Sequence, residues 1–430
     1  MELNQQFKIY LFNVGAGDNI LIQLPNGEFG IIDFFFSSSL NQSTPPAVAY
    51  LEHLSKTQEV VISFCCISHY DFDHLSGFDH LWELWRKKKV IIKNFWLGGT
   101  ESKDKFHQLF INRFKLGKLS TFKDEEKKIV EKIIQNQREI LSNLFKNVEY
   151  WESKTKLESE YIRDVKFINN NLCEGIRSFS IGPLKKHIDK FEKLNFDSFV
   201  KLILPNSYKS PDSDNNLISS IIIIQSDSFS WVFGGDAPKE IWIDGINDND
   251  NKKKGFDITA DFVKVSHHGS KTSTNPVIWN KLIEKKESVI FGISAGNRHK
   301  HPDSDTLKEI NIACEGKVDY KIFSTNSCTN CLILDDNSEN IFDKENIDLY
   351  EDYKPEYSIL FNGDRSPIYQ TKPNNTEKQK LGFLGYKFVY DLINKTVITS
   401  EMIDKNIFNH RKCFFSEHKY PLYPRCSNRK

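Results

Sequence analysis

Between Cys65 and Leu81 the chain reads CCISHYDFDHLSGFDHL, which sets His69, Asp71, Asp73 and His74 within six residues directly after an apolar run. Imidazole nitrogens and carboxylate oxygens suit Zn²⁺, Mn²⁺ or a similar divalent ion. A catalytic ion needs several such donors converging while one position stays open to water. In extended backbone residues 69, 71 and 73 share one side and His74 takes the other, so the spacing predicts a tight turn, at Ser76 and Gly77, that brings His74 round. The competing reading is a solvated loop in which Asp73 caps a helix over HLSGFDHLWELW. Two later stretches favour the metal. WVFGGDAP places Asp236 after an apolar strand and a glycine pair, and FVKVSHHGSKTST places His267 and His268 at the end of another. The three clusters each fall at the carboxyl end of a predicted strand and so converge on one face of an α/β sheet.

The elements that must hold these residues follow in order. FKIYLFNVG and NILIQLPNGEFGIIDFF read as strands, the latter as two joined by a turn around Pro25, Asn26 and Gly27. PPAVAYLEHLSK reads as a helix with proline early, and VVISFCCISH as the buried strand that ends on His69. From about residue 101 to 160, Lys/Glu-rich sequence with apolar residues at three- and four-residue steps predicts an inserted helical segment. FVKLILP, LISSIIIIQS, FSWVFGGD, FVKVSHHGS and ESVIFGISAG then read as strands covered on both faces. Past residue 336 the pattern becomes irregular and aromatic, with strand-like YKFVYDLI and KTVITSEM.

Composition limits the function classes. Lys plus Arg and Asp plus Glu each number 58, so overall charge favours neither nucleic acid nor a membrane surface, and any nucleic-acid site must be a local patch. The start MELNQQFKIYLF has no signal-peptide pattern, and no apolar run reaches the roughly 18–20 residues of a membrane span, so a cytoplasmic protein is expected. Eight scattered cysteines fit reduced thiols, with Cys65 and Cys66 packing rather than pairing.

Taken together, these motifs resemble the metallo-β-lactamase superfamily and, within it, the hydrolase domain of ComEC-type DNA-uptake proteins. The likeness covers roughly residues 7 to 335 outside the helical segment. NVGAGDNILIQLPNGEFGIIDFF resembles the opening signature, with Gly15, Gly17, Asp18 and Asp33 in place, and SHYDFDHLSG the metal loop, with Asp71 where the usual second histidine stands. NNLISSIIII followed by FGGDA resembles a strand pair ending in a bridging aspartate, and VKVSHHGSKTS and GNRHKHPDSDTL two later loops.

The resemblance implies an αββα four-layer sandwich over residues 1–336, with the helical insertion at about 101–160 and a C-terminal α+β extension over 337–430. It implies one or two divalent ions, Zn or Mn: His69, Asp71 and Asp236 for one, and Asp73, His74, Asp236 and His267 for the other, with His268 the rival of His267. No histidine stands around DNNLISS, where the superfamily often supplies one. Asp73 would orient or deprotonate the attacking water, and His301, Ser270 or Lys271 would meet a phosphate. The expected activity is metal-dependent hydrolysis, by a phosphodiesterase or nuclease acting on DNA or another nucleotide substrate. The alternatives are a small ester, lactam, thioester or cyclic-nucleotide substrate, and a scaffold with an impaired metal site that meets protein partners through the insertion or the extension.

Two further stretches are ambiguous. WRKKKVIIKNFW mixes Arg86, Lys87, Lys88, Lys89 and Lys93 with Trp82, Trp85 and Trp96, as a nucleic-acid face would, although a solvated helix end explains it equally well. CTNC, Cys328 and Cys331, has zinc-site spacing that Cys413, Cys426, His410 and His418 could complete, but structural cysteines are the favoured reading.

Overall fold

The computed structural model describes residues 6–37, 42–99, 124–193, 214–252, 255–296, 301–325, 332–333, 359–361, 367–369, 385–392 and 396–402. The CTNC cysteines, the strand expected over FVKLILP, Arg298 and the first part of the helical insertion lie outside them.

In chain order the first half gives β1 (Gln6–Phe12), β2 (Ile20–Gln23), β3 (Phe29–Ile32), α1 (Pro46–Leu54), β4 (Val61–Ile67), α2 (Phe72–Leu75), α3 (Phe78–Arg86), β5 (Ile91–Ile92), β6 (Phe95–Gly98), α4 (Asp124–Thr155) and β7 (Glu160–Ile162). The second half gives β8 (Val165–Cys173), β9 (Ile176–Gly182), α5 (Lys185–Lys193), β10 (Ile221–Gln225), β11 (Ser230–Phe233), α6 (Lys239–Asp250), β12 (Phe262–Lys264), α7 (Pro276–Leu282), β13 (Ser288–Ile293), α8 (Ser304–Cys314) and β14 (Asp319–Ser324). After these come β15 (Leu332–Ile333), β16 (Ile359–Phe361), β17 (Pro367–Tyr369), β18 (Gly385–Asp391) and β19 (Thr396–Met402).

Two large sheets result. One runs β19-β18-β1-β2-β3-β4-β6-β7, with β5 beside β4; the other runs β14-β13-β12-β11-β10-β9-β8. Each is antiparallel on one side and parallel on the other: β3, β4, β6 and β7 are parallel neighbours in the first sheet, as are β11 to β14 in the second. Parallel strands need crossover helices, which cover the outer faces.

Three cores define the layers. The first sheet packs on α1, α3 and α4 through residues such as Leu51, Trp82 and Trp151, and the second on α6, α7 and α8 through Trp242, Trp279 and Leu307. The third core lies between the sheets, where Phe7 of β1 stacks on Trp231 of β11 with ring centroids 3.6 Å apart. Four layers, αββα, are the arrangement that three cores require.

Strand alternation explains why the sequence reads as continuous apolar runs. In β10, Ile221 and Ile223 join the outer core while Ile222 and Ile224 join the inner one, so both faces are buried. Cys65 and Cys66 of β4 likewise point to opposite cores and cannot pair; both are buried free thiols whose pKa burial pushes well up. On α4, Leu141, Leu144, Phe145 and Val148 fall at three- and four-residue steps and form the face against the first sheet.

Two features depart from the sequence reading. The β8–β9 hairpin, turning at Gly175 with φ +72°, was not foreseen, because polar Asn169, Asn170 and Asn171 interrupt its first strand. In the C-terminal extension β18 pairs antiparallel along the whole of β1, so residues 385–402 add two strands to the first sheet. Among the described residues no helix is long and apolar enough to cross a membrane.

Candidate metal centre

The ends of β4, β11 and β12 meet at one edge of the two sheets. His69 follows β4 by two residues, Asp236 follows β11 by three, and His268 follows β12 by four. Ser76 and Gly77 do form a turn, between α2 and α3, but it is not what brings His74 round. Instead Asp71, in extended backbone, immediately precedes α2, whose single turn carries Asp73 and His74 back over the strand end. Asp73 is therefore inside the helix rather than its cap. Glycines permit the close approach: a Cβ on Gly17 would meet the Phe35 ring at 2.2 Å and the Asp73 carbonyl at 2.5 Å, and Gly235 takes φ +49° just before Asp236.

Asp236 is the hub. Its Oδ2 lies 3.4 Å from His74 Nε2, 3.5 Å from His268 Nε2 and 4.0 Å from His69 Nε2, and His69 Nε2 is 3.5 Å from Asp71 Oδ2. Asp73 offers a carboxylate oxygen within 4.8 Å of ring nitrogens of His74 and His268. Of the two adjacent histidines, His268 rather than His267 turns its Nε2 to Asp236. Both residues and Gly269 take left-handed backbone, with φ of +50°, +55° and +82°, a strained run of the kind found at functional sites. It turns buried His268 into the cluster and leaves His267 at the rim, beside Asn216 and Thr272 and 5.9 Å from the His301 ring.

A second set of contacts orients the imidazoles. Asp33 accepts hydrogen bonds from the Ser68 backbone N–H at 2.8 Å, the Ser68 hydroxyl at 2.7 Å and His74 Nδ1–H at 2.7 Å. The Ser68 proton being given to Asp33, its Oγ accepts from His69 Nδ1, 3.1 Å away. His268 Nδ1–H donates to the Ser294 carbonyl at 2.8 Å. With each Nδ1 engaged outward, all three rings turn Nε2 toward Asp236, the arrangement that metal-binding histidines share.

The donors fit a divalent cation. His69 Nε2, His74 Nε2, His268 Nε2 and Asp236 Oδ1 are buried without a hydrogen-bond partner. An unmet buried polar atom costs about 1–3 kcal/mol, so four in one place call for a shared partner. The separations of 3.4–3.5 Å exceed hydrogen-bond length. Ligands about 2.0–2.2 Å from a tetrahedral ion, in contrast, stand about 3.3–3.6 Å apart.

Charge agrees with this. Burial opposes ionisation of Asp236, but His268, His74 and His267 hold its carboxyl well below the usual range. Burial also opposes protonation of His74, yet Asp236 and Asp33 push it well above normal, so positive charge, proton or metal, is favoured between His74 and Asp236. Removal from water lowers His268 to about 3 and keeps it neutral, and it raises Asp73 to about 6 even though part of that residue reaches solvent.

The remaining expected residues are peripheral. His301 lies 3.6 Å from Asp303, Ser270 has its hydroxyl engaged by Thr272, and Lys271 is exposed with its backbone N–H on Asp303. Of the basic run, Arg86 and Lys87 pair with Glu83, Lys89 with Glu52 and Lys93 with Glu28. Another acid and histidine group, His187, Glu240 and Asp244, is already satisfied: His187 and Lys186 both bind Asp244, and Lys190 binds Glu240.

Sequence reasoning overlooked Lys264, buried at the end of β12, and left Asp18 and Asp33 without roles. A lysine in the otherwise apolar FVKVS was the available signal.

Two facing sheets, each flanked by helices, with these loops at their shared edge make up a four-layer αββα sandwich. No protein-family profile matches the chain. Over 107 residues it is 33% identical to ComE operon protein 3 of Bacillus subtilis (strain 168), a stretch that is 25% of this chain and only 12% of that protein. Similar solved structures include the metallo-β-lactamase fold protein YhfI from Bacillus subtilis, 10% identical, covering 74% of this chain and 96% of that one at a TM-score of 0.34. Another is CmlA, a diiron β-hydroxylase from Streptomyces venezuelae, 10% identical, covering 74% of this chain and 52% of that one at a TM-score of 0.36.

Proposed function

We propose that the chain is a metal-dependent hydrolase, a phosphodiesterase or nuclease acting on DNA or another nucleotide substrate. The observation that carries the hydrolase reading is the gathering of three inward-facing, unpartnered Nε2 atoms around the buried carboxylate of Asp236, in overlapping sets. His69, His74 and Asp236, with Asp71 beside His69, would hold one divalent ion, and Asp73, His74 and His268 are grouped so that they could hold a second. Such an ion lowers the pKa of water toward about 7 and polarises the bond to be cleaved.

The chain's own residues supply the rest. Asp33 and Ser68 fix the rings of His74 and His69, and Ser294 that of His268, so the donors are preorganised. Asp73, raised to about 6 by its surroundings, can hold or release a proton near neutral pH, which suits the base that orients the attacking water. His301, at the rim beside His267 and 3.6 Å from Asp303, would meet a substrate phosphate.

Substrate class rests on the ComEC-type motifs and on the match to ComE operon protein 3. One feature of the site agrees with a nucleotide: Phe72, between Asp71 and Asp73, is 45% exposed and offers an aromatic face beside the donors. The paired lysines favour the second reading, a small phosphodiester or cyclic nucleotide, because they leave less free positive charge for a polymer. The test is a panel of single- and double-stranded DNA, RNA and bis(p-nitrophenyl) phosphate, offered to chelator-treated protein reloaded with Zn²⁺ or Mn²⁺. Ion-dependent cleavage of a phosphodiester supports the proposal; cleavage that survives chelation, or of none of the phosphodiesters, overturns it.

A further inference from the structure

Lys264 and Asp18 are 0% and 1% exposed and form an ion pair wholly inside the protein. Burying two charges together is costly relative to packing apolar groups, so such a pair is more readily explained by what it positions than by stability. Its location is informative. In β12 Phe262 faces the core between the sheets and Val263 the helix side, so Lys264 extends inward, across to the β1–β2 loop of the opposite sheet.

Asp18 is a junction for both halves of the metal centre. Its backbone N–H donates to the Asp73 carbonyl at 3.1 Å, and its own carbonyl accepts from Phe35 N–H at 3.0 Å. Its Oδ2 accepts from Lys264, at the end of the strand that leads to His268, and its Oδ1 lies 3.7 Å from His268 Nδ1 with no hydrogen bond of its own. Next to it Gly17 accepts from the Ser294 hydroxyl at 2.6 Å, while the Ser294 carbonyl holds His268 Nδ1. The loop that supplies His69 to His74 belongs to one sheet and the donors Asp236 and His268 to the other. Apart from the donors themselves, the contacts through residues 17 and 18 join the two halves beside His268.

We infer that the Asp18–Lys264 pair is a positioning element that sets the two half-sites of the metal centre at ligand distance from each other. The inference rests on the metal-centre reading. Without the pair, each half keeps its donors, and the bond from Ser220 N–H to the Ser68 carbonyl still joins the halves beside His69, but the constraint on the His268 side of the gap is lost. Asp18 also stands within 4.8 Å of donor atoms of Asp236 and His268, but with its Oδ2 held by Lys264 its part in this scheme is positioning: Lys264 acts through Asp18, and Asp18 through the backbone of Asp73 and the ring of His268.

The double variant Asp18→Asn, Lys264→Met removes both charges and the tie without stranding either partner. Zn²⁺ affinity and stoichiometry, measured by calorimetry on chelator-treated full-length protein, are expected to show binding about 10–100-fold weaker than wild type, the usual loss when the support of a ligand is removed. The visible spectrum of Co²⁺-loaded protein should change as well, because it reports ligand geometry, which a merely stabilising pair would leave alone. The isosteric Asp18→Asn single variant covers the case in which the double variant does not fold, and it is expected to weaken binding in the same direction. Wild-type Zn²⁺ affinity with an unaltered Co²⁺ spectrum in either folded variant overturns the inference. If wild-type protein itself binds neither Zn²⁺ nor Co²⁺, the metal reading fails instead, and the inference with it.

Discussion

Residues 69–74 and 86–93 are both dense in chargeable side chains, and they come to opposite ends. In the first, His69 and His74 are fully buried, their outer nitrogens are fixed by Ser68 and Asp33, and their inner nitrogens are left without partners. In the second, the side chains of Arg86 and Lys87 are 61% and 60% exposed, and each already meets Glu83. Fixed donors with unmet valence are an arrangement for binding; mobile charges with nearby counter-charges are a solvated surface. Density of charge in the sequence does not separate the two, whereas the partners do.

The sharpest way to break this contrast is inside the cluster. Replacing His268 by Ala should weaken Zn²⁺ binding by more than about 100-fold, a larger effect than removing a supporting residue, whereas His267→Ala should cost less than about tenfold. Calorimetry on both variants decides it, and the reverse order would restore the original preference for His267. Next in size is Asp33→Asn, which keeps the shape but weakens the hold on His74 Nδ1. Metal affinity should fall about 10–100-fold with the fold retained, as thermal unfolding of the metal-free variant would verify.

The pH dependence is smaller but has a definite sign. Ions compete with protons at His74, whose pKa Asp236 and Asp33 raise against the effect of burial, and at Asp73, raised to about 6 by burial. Metal binding should therefore release protons at neutral pH and weaken as pH falls. Calorimetry in two buffers of different ionisation enthalpy counts those protons, and binding independent of both buffer and pH would contradict the scheme. The smallest effect belongs to the basic run. Replacing Lys87, Lys88 and Lys89 together by Ser should shift the log-log salt slope for oligonucleotide binding by less than about one unit, where three genuine phosphate contacts would remove about 2–3. A loss of that larger size would return this surface to the substrate site.

The same contrast explains what could be read in advance. Strands ending on His69, Asp236 and the His267–His268 pair were legible because apolar runs followed by acid or histidine leave little else for those residues to do. Which of two adjacent histidines turns inward was not, since the answer lies in three successive positive φ angles rather than in composition. The four isoleucines of β10 announced a doubly buried strand but could not say which faced which core. β18 was seen as a strand, yet its pairing with β1 joins residues almost 400 positions apart, which no local pattern encodes. Lys264 was passed over because a lysine in a strand is usually an exposed one, and its partner Asp18 lies 246 residues away.

The central claim is that the buried donors around Asp236 form a divalent-metal centre. Equilibrium dialysis of chelator-treated protein against Zn²⁺ or Mn²⁺, followed by elemental analysis of wild type and Asp236→Asn side by side, tests it most directly. One or two ions per wild-type chain, and a marked deficit in the folded variant, is the predicted result. No ion in the wild type, or equal content in the two proteins, would contradict it.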